Sequence, residues 1–117
     1  MQMPFVKITT SQALDAHQRE ELRQAVWGAI ILIPQKFPET TMIQIEDKAD
    51  ITKGPGGEPA LFCETRLYTR PAFELKKAYI EKISAAFAEI TGVKPEKMYT
   101  TILEIDEWGS GGGYKHF

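Results

Sequence analysis

The feature that most constrains this chain is a strand–helix–strand pattern that occurs twice. Pro38-Glu39 and Pro95-Glu96 each stand ahead of a strand-like segment, and Phe5 and Phe62 each lie inside the segment that opens a unit; both pairs are 57 positions apart. In the first unit, Phe5, Val6, Ile8, Thr9 and Thr10 have the β-branched and aromatic content of a strand. Pro4 sits at its head, where a missing N–H costs the ladder least. Asp15 with Gln18 forms a capping signal, with Leu14 placed to staple the first turn. Leu22, Val26, Ala29, Ile30 and Ile33 then recur at helical spacing, until Pro34 and Pro38 close the helix. Residues 41–46 alternate as a strand, and residues 47–59, with Gly54-Pro55-Gly56-Gly57, read as a loop. In the second unit residues 60–68 read as a strand. Pro71 opens a helix with a stripe of Leu75, Tyr79, Ile83, Ala86 and Ile90, and Gly92 ends it. Residues 99–105 give a fourth strand. Residues 109–113 read as a flexible, glycine-rich loop near a subunit contact or pocket rim, followed by a short tail.

A crossover helix favours parallel pairing of the strands it joins. The expected fold is therefore α/β (α+β), with two β-α-β repeats forming one four-stranded sheet and two helices on one face. It is a single domain over residues 1–117, with pseudo-repeats 4–57 and 60–113. The other sheet face is left bare. Val6, Ile8 or their neighbours, with leucine, phenylalanine and tyrosine of the third strand, are the candidates to occupy it. Such a patch predicts oligomerisation.

Composition narrows the partners. With 117 residues, 43% hydrophobic and 26% charged, the chain reads as globular. A net charge of -2 with no basic block argues against nucleic acid. The single cysteine, Cys63, excludes an internal disulfide and fits a reducing compartment. Neither a secretory signal nor a membrane span is expected, since the apolar run before Pro34 is too short to cross a bilayer. The expected location is cytoplasmic, with no membrane partner. His17 and His116 lack ligand-spaced companions, so no metal and no cofactor are expected. The glycine run lacks the strand-to-helix context and the Lys-Ser/Thr of a phosphate loop.

The order and spacing of several segments resemble the tautomerase superfamily, in the branch of macrophage migration inhibitory factor. Pro4-Phe5-Val6 is similar to that family's start. Lys36-Phe37-Pro38 resembles its Lys-Pro-Pro turn. Glu58-Pro59 followed by Leu61-Phe62-Cys63 resembles its Glu-Pro and Cys-Ala-Leu-Cys strand, with Ala60 in place of the first cysteine. Lys94-Pro95-Glu96-Lys97-Met98-Tyr99 resembles its Ser-Pro-Asp-Arg-Val-Tyr lead into the fourth strand. The resemblance implies a homotrimer with the sheets around a central channel. It also implies a pocket at each subunit boundary with the amino-terminal proline, Pro4, as catalytic acid/base. By the same resemblance Lys36 contacts substrate and Tyr99 reaches a neighbour's pocket. Thr101 stands where the family has asparagine, which removes an amide from the pocket. Arg66, Tyr68 and Arg70 complete the candidate substrate-binding set, because other branches hold carboxylates with arginine.

The chemistry follows from the amine. An unacylated α-amine titrates near pH 7.7–8.0, and burial or nearby cations lower that further. Neutral, it can take a proton from carbon beside a carbonyl and return it elsewhere, interconverting keto and enol. The expected substrate is a small 2-oxo acid such as phenylpyruvate. The chemistry requires Pro4 to be the first residue; behind Met1-Gln2-Met3 its nitrogen is an amide. The alternatives are decarboxylation, or hydration or dehalogenation of a small acid, for which the glycine-rich tail offers no obvious water-activating carboxylate beyond Glu104, Asp106 and Glu107. A non-catalytic trimeric scaffold is the third alternative. Taken alone, Pro4 reads as a strand head, Lys36 as a solvated charge, Tyr99 as a core aromatic and Cys63 as a small buried hydrophobe.

Overall fold

The alternation of the first strand decides which way the sheet faces. In the computed structural model, which describes residues 4–116, β1 (Phe5–Thr10) buries Val6, Ile8 and Thr10 and turns Phe5, Lys7 and Thr9 to the opposite face. Met1, Gln2, Met3 and Phe117 lie outside the described residues, and with them the question of what precedes Pro4. The buried side packs under helices α1 (Ala16–Ile30) and α2 (Phe73–Thr91), which also pack on each other. β2 (Met42–Glu46), β3 (Leu61–Leu67) and β4 (Met98–Glu104) complete one sheet of order β2-β1-β3-β4. Both crossovers are parallel, β1 with β2 and β3 with β4; β1 and β3 meet antiparallel at the centre.

Local chemistry sets the helix ends. The Gln18 amide N–H donates to Asp15 Oδ1 at 2.7 Å and the Asp15 N–H donates to Gln18 Oε1 at 3.1 Å, closing the capping box expected from sequence. Asp47 adds an anchor, accepting from the Leu14 N–H at 2.9 Å and from Arg19 at 2.5 Å. α1 stops at Ile30, short of Ile33, which is buried instead in the turn that Pro34 forces. α2 begins two residues after Pro71 and ends on Gly92, whose φ of 76° suits a residue without a Cβ. Its fully buried face is Tyr79, Ile83, Phe87 and Thr91, so Phe87 belongs to the core while Ala86 and Ile90 are only half-buried.

Two expectations change. Val6 and Ile8 lie in the core under the helices, not on the bare face, as do Leu61 and Leu67. The open face instead carries three cross-strand rows: Met42-Phe5-Arg66-Leu103, Gln44-Lys7-Glu64-Thr101 and Glu46-Thr9-Phe62-Tyr99. It is thus mixed in character, with a charged middle row. The glycine-rich tail is a second, two-stranded sheet rather than a flexible loop. β5 (Glu107–Ser110) and β6 (Gly113–His116) pair antiparallel through Gly111 and Gly112, whose φ values are 57° and 85°. Two consecutive positive φ values are what a two-residue hairpin turn needs to match the strands' twist. Among the described residues, no helix is long and apolar enough to cross a membrane.

Candidate active site

The hairpin stands over the head of β1 and closes a cavity there of about 660 Å³. Its floor is Pro4 and Phe5, flanked by Thr40 and Met42; Arg66 enters from β3, and Ile105, Glu107 and Trp108 with the following glycines form the far wall. Pro4 is buried, and its carbonyl accepts from the Met42 N–H at 3.0 Å, which fixes the strand head against β2. Of the sequence candidates, Pro4 and Arg66 meet in this cavity.

Arg66 is positioned rather than loose. Its Nε donates to Glu64 Oε1 at 2.7 Å, and its guanidinium carbon lies 5.7 Å from the Phe5 ring centroid. A guanidinium held through Nε still presents its two terminal nitrogens as a fork for a carboxylate. Tyr68 follows β3 and lies behind the wall, its ring 6.5 Å from that of Trp108 at a 55° tilt. Arg70 pairs with Asp106 at the surface, next to the start of the hairpin.

The remaining candidates lie elsewhere in the protomer. Thr101 and Tyr99 occupy the second and third rows of the open face, progressively farther along β4 from the cavity row. The Thr101 hydroxyl donates to the Cys63 carbonyl at 3.2 Å, and Tyr99, 58% exposed, has the Lys53 ammonium 4.3 Å from its ring centroid. Lys36 is buried in the turn after α1, 2% exposed, and does not line the Pro4 cavity. Desolvation lowers its pKa to about 8. Cys63 is buried under the helices, and burial pushes its thiol up to about 12, which leaves it inert near neutral pH.

Sequence patterns left Trp108, Thr40 and Met42 without a role. The available signal was Gly111-Gly112 between Trp108-Gly109-Ser110 and Gly113-Tyr114, a two-residue hairpin turn between short strands. Glu107 is the carboxylate of the cavity, and the Tyr114 hydroxyl donates to its Oε1 at 3.0 Å. That hydrogen bond, with a smaller contribution from desolvation, pushes the Tyr114 phenol up. Among the described residues, no group of three or more His, Cys, Asp or Glu side chains could hold a metal.

Architecture and cavity can be set beside solved structures. MIF2 of Leishmania major superposes with a TM-score of 0.85 at 24% identity, covering 98% of this chain and 97% of that one. The chain has the macrophage migration inhibitory factor fold. Pt0534 inactivated by 2-oxo-3-pentynoate gives a TM-score of 0.82 at 17% identity, over 95% of each chain. A fused 4-OT solved as an asymmetric trimer gives 0.80 at 18% identity, over 93% of this chain and 94% of that one. No protein-family model matches the sequence, and neither does any curated protein. The migration inhibitory factor fold accounts for the doubled unit and the mixed sheet. It leaves the chemistry to be argued from the cavity.

Proposed function

We propose that this protein is a keto–enol tautomerase acting on a small 2-oxo acid, with Pro4 as the acid/base. The observation that carries the reading is the shared cavity of Pro4 and Arg66. A neutral proline amine takes a proton from the carbon next to the substrate's carbonyl, and the Arg66 fork pairs with the carboxylate. The positive charge beside the reacting centre stabilises the developing enolate. Phe5, Met42, Ile105 and Trp108 supply apolar walls that suit a small hydrocarbon or aromatic group. Support from outside the chain comes from Pt0534, a protein of the same fold that is inactivated by a 2-oxo acid.

The same reading makes the protein a homotrimer. The open sheet face, the exposed Tyr99 and the hairpin are the surfaces for neighbours, and a fused 4-OT of this fold is a trimer. In that arrangement Tyr99 and Thr101, remote from their own protomer's cavity, serve an adjacent one. Lys36 joins the carboxylate contacts if substrate or a neighbour opens its turn, and Arg70 and Tyr68 support the wall.

The test uses protein whose intact mass begins at Pro4. Such protein is expected to ketonise phenylenolpyruvate, and Pro4→Ala to lose at least about 100-fold in kcat/KM. Equal rates for the two remove Pro4 from the chemistry.

A further inference from the structure

Interconverting enol and keto moves two protons, one at carbon and one at oxygen, and Pro4 accounts for only the first. A carboxylate among the described residues lining the cavity can accept the second. Glu107, the first residue of the hairpin, lines the same cavity as Pro4 and Arg66. Its Oε1 is held by the Tyr114 hydroxyl, a contact that orients the carboxylate. We propose that Glu107 is a second catalytic residue, the group that takes and returns the proton on the substrate's enol oxygen. This rests on the tautomerase reading above.

The step balances without any co-reactant. In ketonisation a Glu107 carboxylate oxygen takes the enol O–H proton as the C–O bond becomes a carbonyl. The electron pair of the C=C bond takes a proton from the Pro4 ammonium. Pro4 is left a neutral amine and Glu107 a carboxylic acid, and exchange with water through the open mouth returns both to their starting forms. The substrate carboxylate stays on Arg66 throughout. The assignment also explains why the wall of the cavity is a hairpin. β6 brings the Tyr114 hydroxyl to the Glu107 carboxylate and sets His116 directly across the ladder from it. Charged groups near Glu107 include Arg66 from β3, Lys115 on β6 and the Arg70–Asp106 pair just before β5.

The experiment compares wild type, Glu107→Gln, Glu107→Asp and Pro4→Ala, each verified to begin at residue 4, by kcat, KM and their pH profiles for phenylenolpyruvate ketonisation. Gln is isosteric and still offers Tyr114 an acceptor, so unchanged thermal melting is expected. Wild type should show an acidic limb, losing activity as pH falls. Glu107→Gln should lose about 100-fold in kcat with KM within about twofold, and this acidic limb should vanish; Glu107→Asp should keep the limb. A Glu107→Gln rate within about threefold of wild type, with the limb intact and Pro4→Ala inactive, overturns the Glu107 role and leaves Pro4 standing. Wild type that begins at Pro4 yet ketonises no enol overturns both.

Discussion

Lys36 is a cation strongly altered by its surroundings. Its folded pKa, about 8, lies below the ordinary lysine value because burial disfavours the ammonium. The unfolded chain therefore binds more protons between about pH 8 and pH 10.4. Over that window stability gains a positive slope with pH from this residue; below pH 8 both states are protonated and the contribution is flat. Lys36→Met should remove that slope, read as the difference between the two proteins' denaturation free energies from about pH 7 to about pH 10.5. Identical slopes would show the ammonium to be solvated after all. A second residue-scale device is the buried hydrogen bond of 2.8 Å between the Thr65 and Tyr79 hydroxyls, which joins the sheet to α2. Tyr79→Phe leaves Thr65 without this partner and should cost about 1–2 kcal/mol in urea denaturation. Phe87→Ala, which empties a fully buried aromatic site, should cost about 3–5 kcal/mol by the same measurement.

At the scale of elements, the hairpin is the part on which the site depends most. Among the described residues β5 and β6 pair only with each other, and β6 is exposed along its length, so its stability rests on the turn and on Trp108. A two-stranded ribbon has little stability of its own. Gly112→Ala places a Cβ at φ 85°, at a cost of about 1–2 kcal/mol. The expected result is a frayed hairpin: global melting nearly unchanged, Trp108 fluorescence shifted to the red, and kcat/KM lowered. A variant with wild-type fluorescence and activity would mean that neighbouring subunits, and not the turn, hold the hairpin. The capping box of α1 is legible in the sequence because its two partners lie three residues apart. The hairpin is not, because its strands are four residues each and glycine occupies four positions across them and the turn, leaving little periodicity to read.

At the scale of the molecule, the Cα radius of gyration, 14.5 Å, exceeds the roughly 13 Å expected of a compact domain of this length. The projecting hairpin and the single-sided helix layer agree with that excess. In the proposed trimer these same features are the contacts. Sedimentation should give about three times the 13.2 kDa protomer mass. Leu103→Asp, which charges the 51%-exposed end of the Met42-Phe5-Arg66 row, should shift the protein toward monomer. A monomeric wild type would remove Tyr99 and Thr101 from the site.

The sequence by itself determined the doubled unit, the parallel crossovers, the helix caps and the placement of Pro4 at a strand head. Each of these is written in contacts only a few residues long or in a periodicity that backbone geometry imposes. Tertiary structure alone decided which face of β1 is covered, because strand alternation names two faces without ranking them. It alone brought Arg66, Glu107 and Trp108 to Pro4, since strand register and a hairpin folding back over the sheet join positions that no local pattern relates.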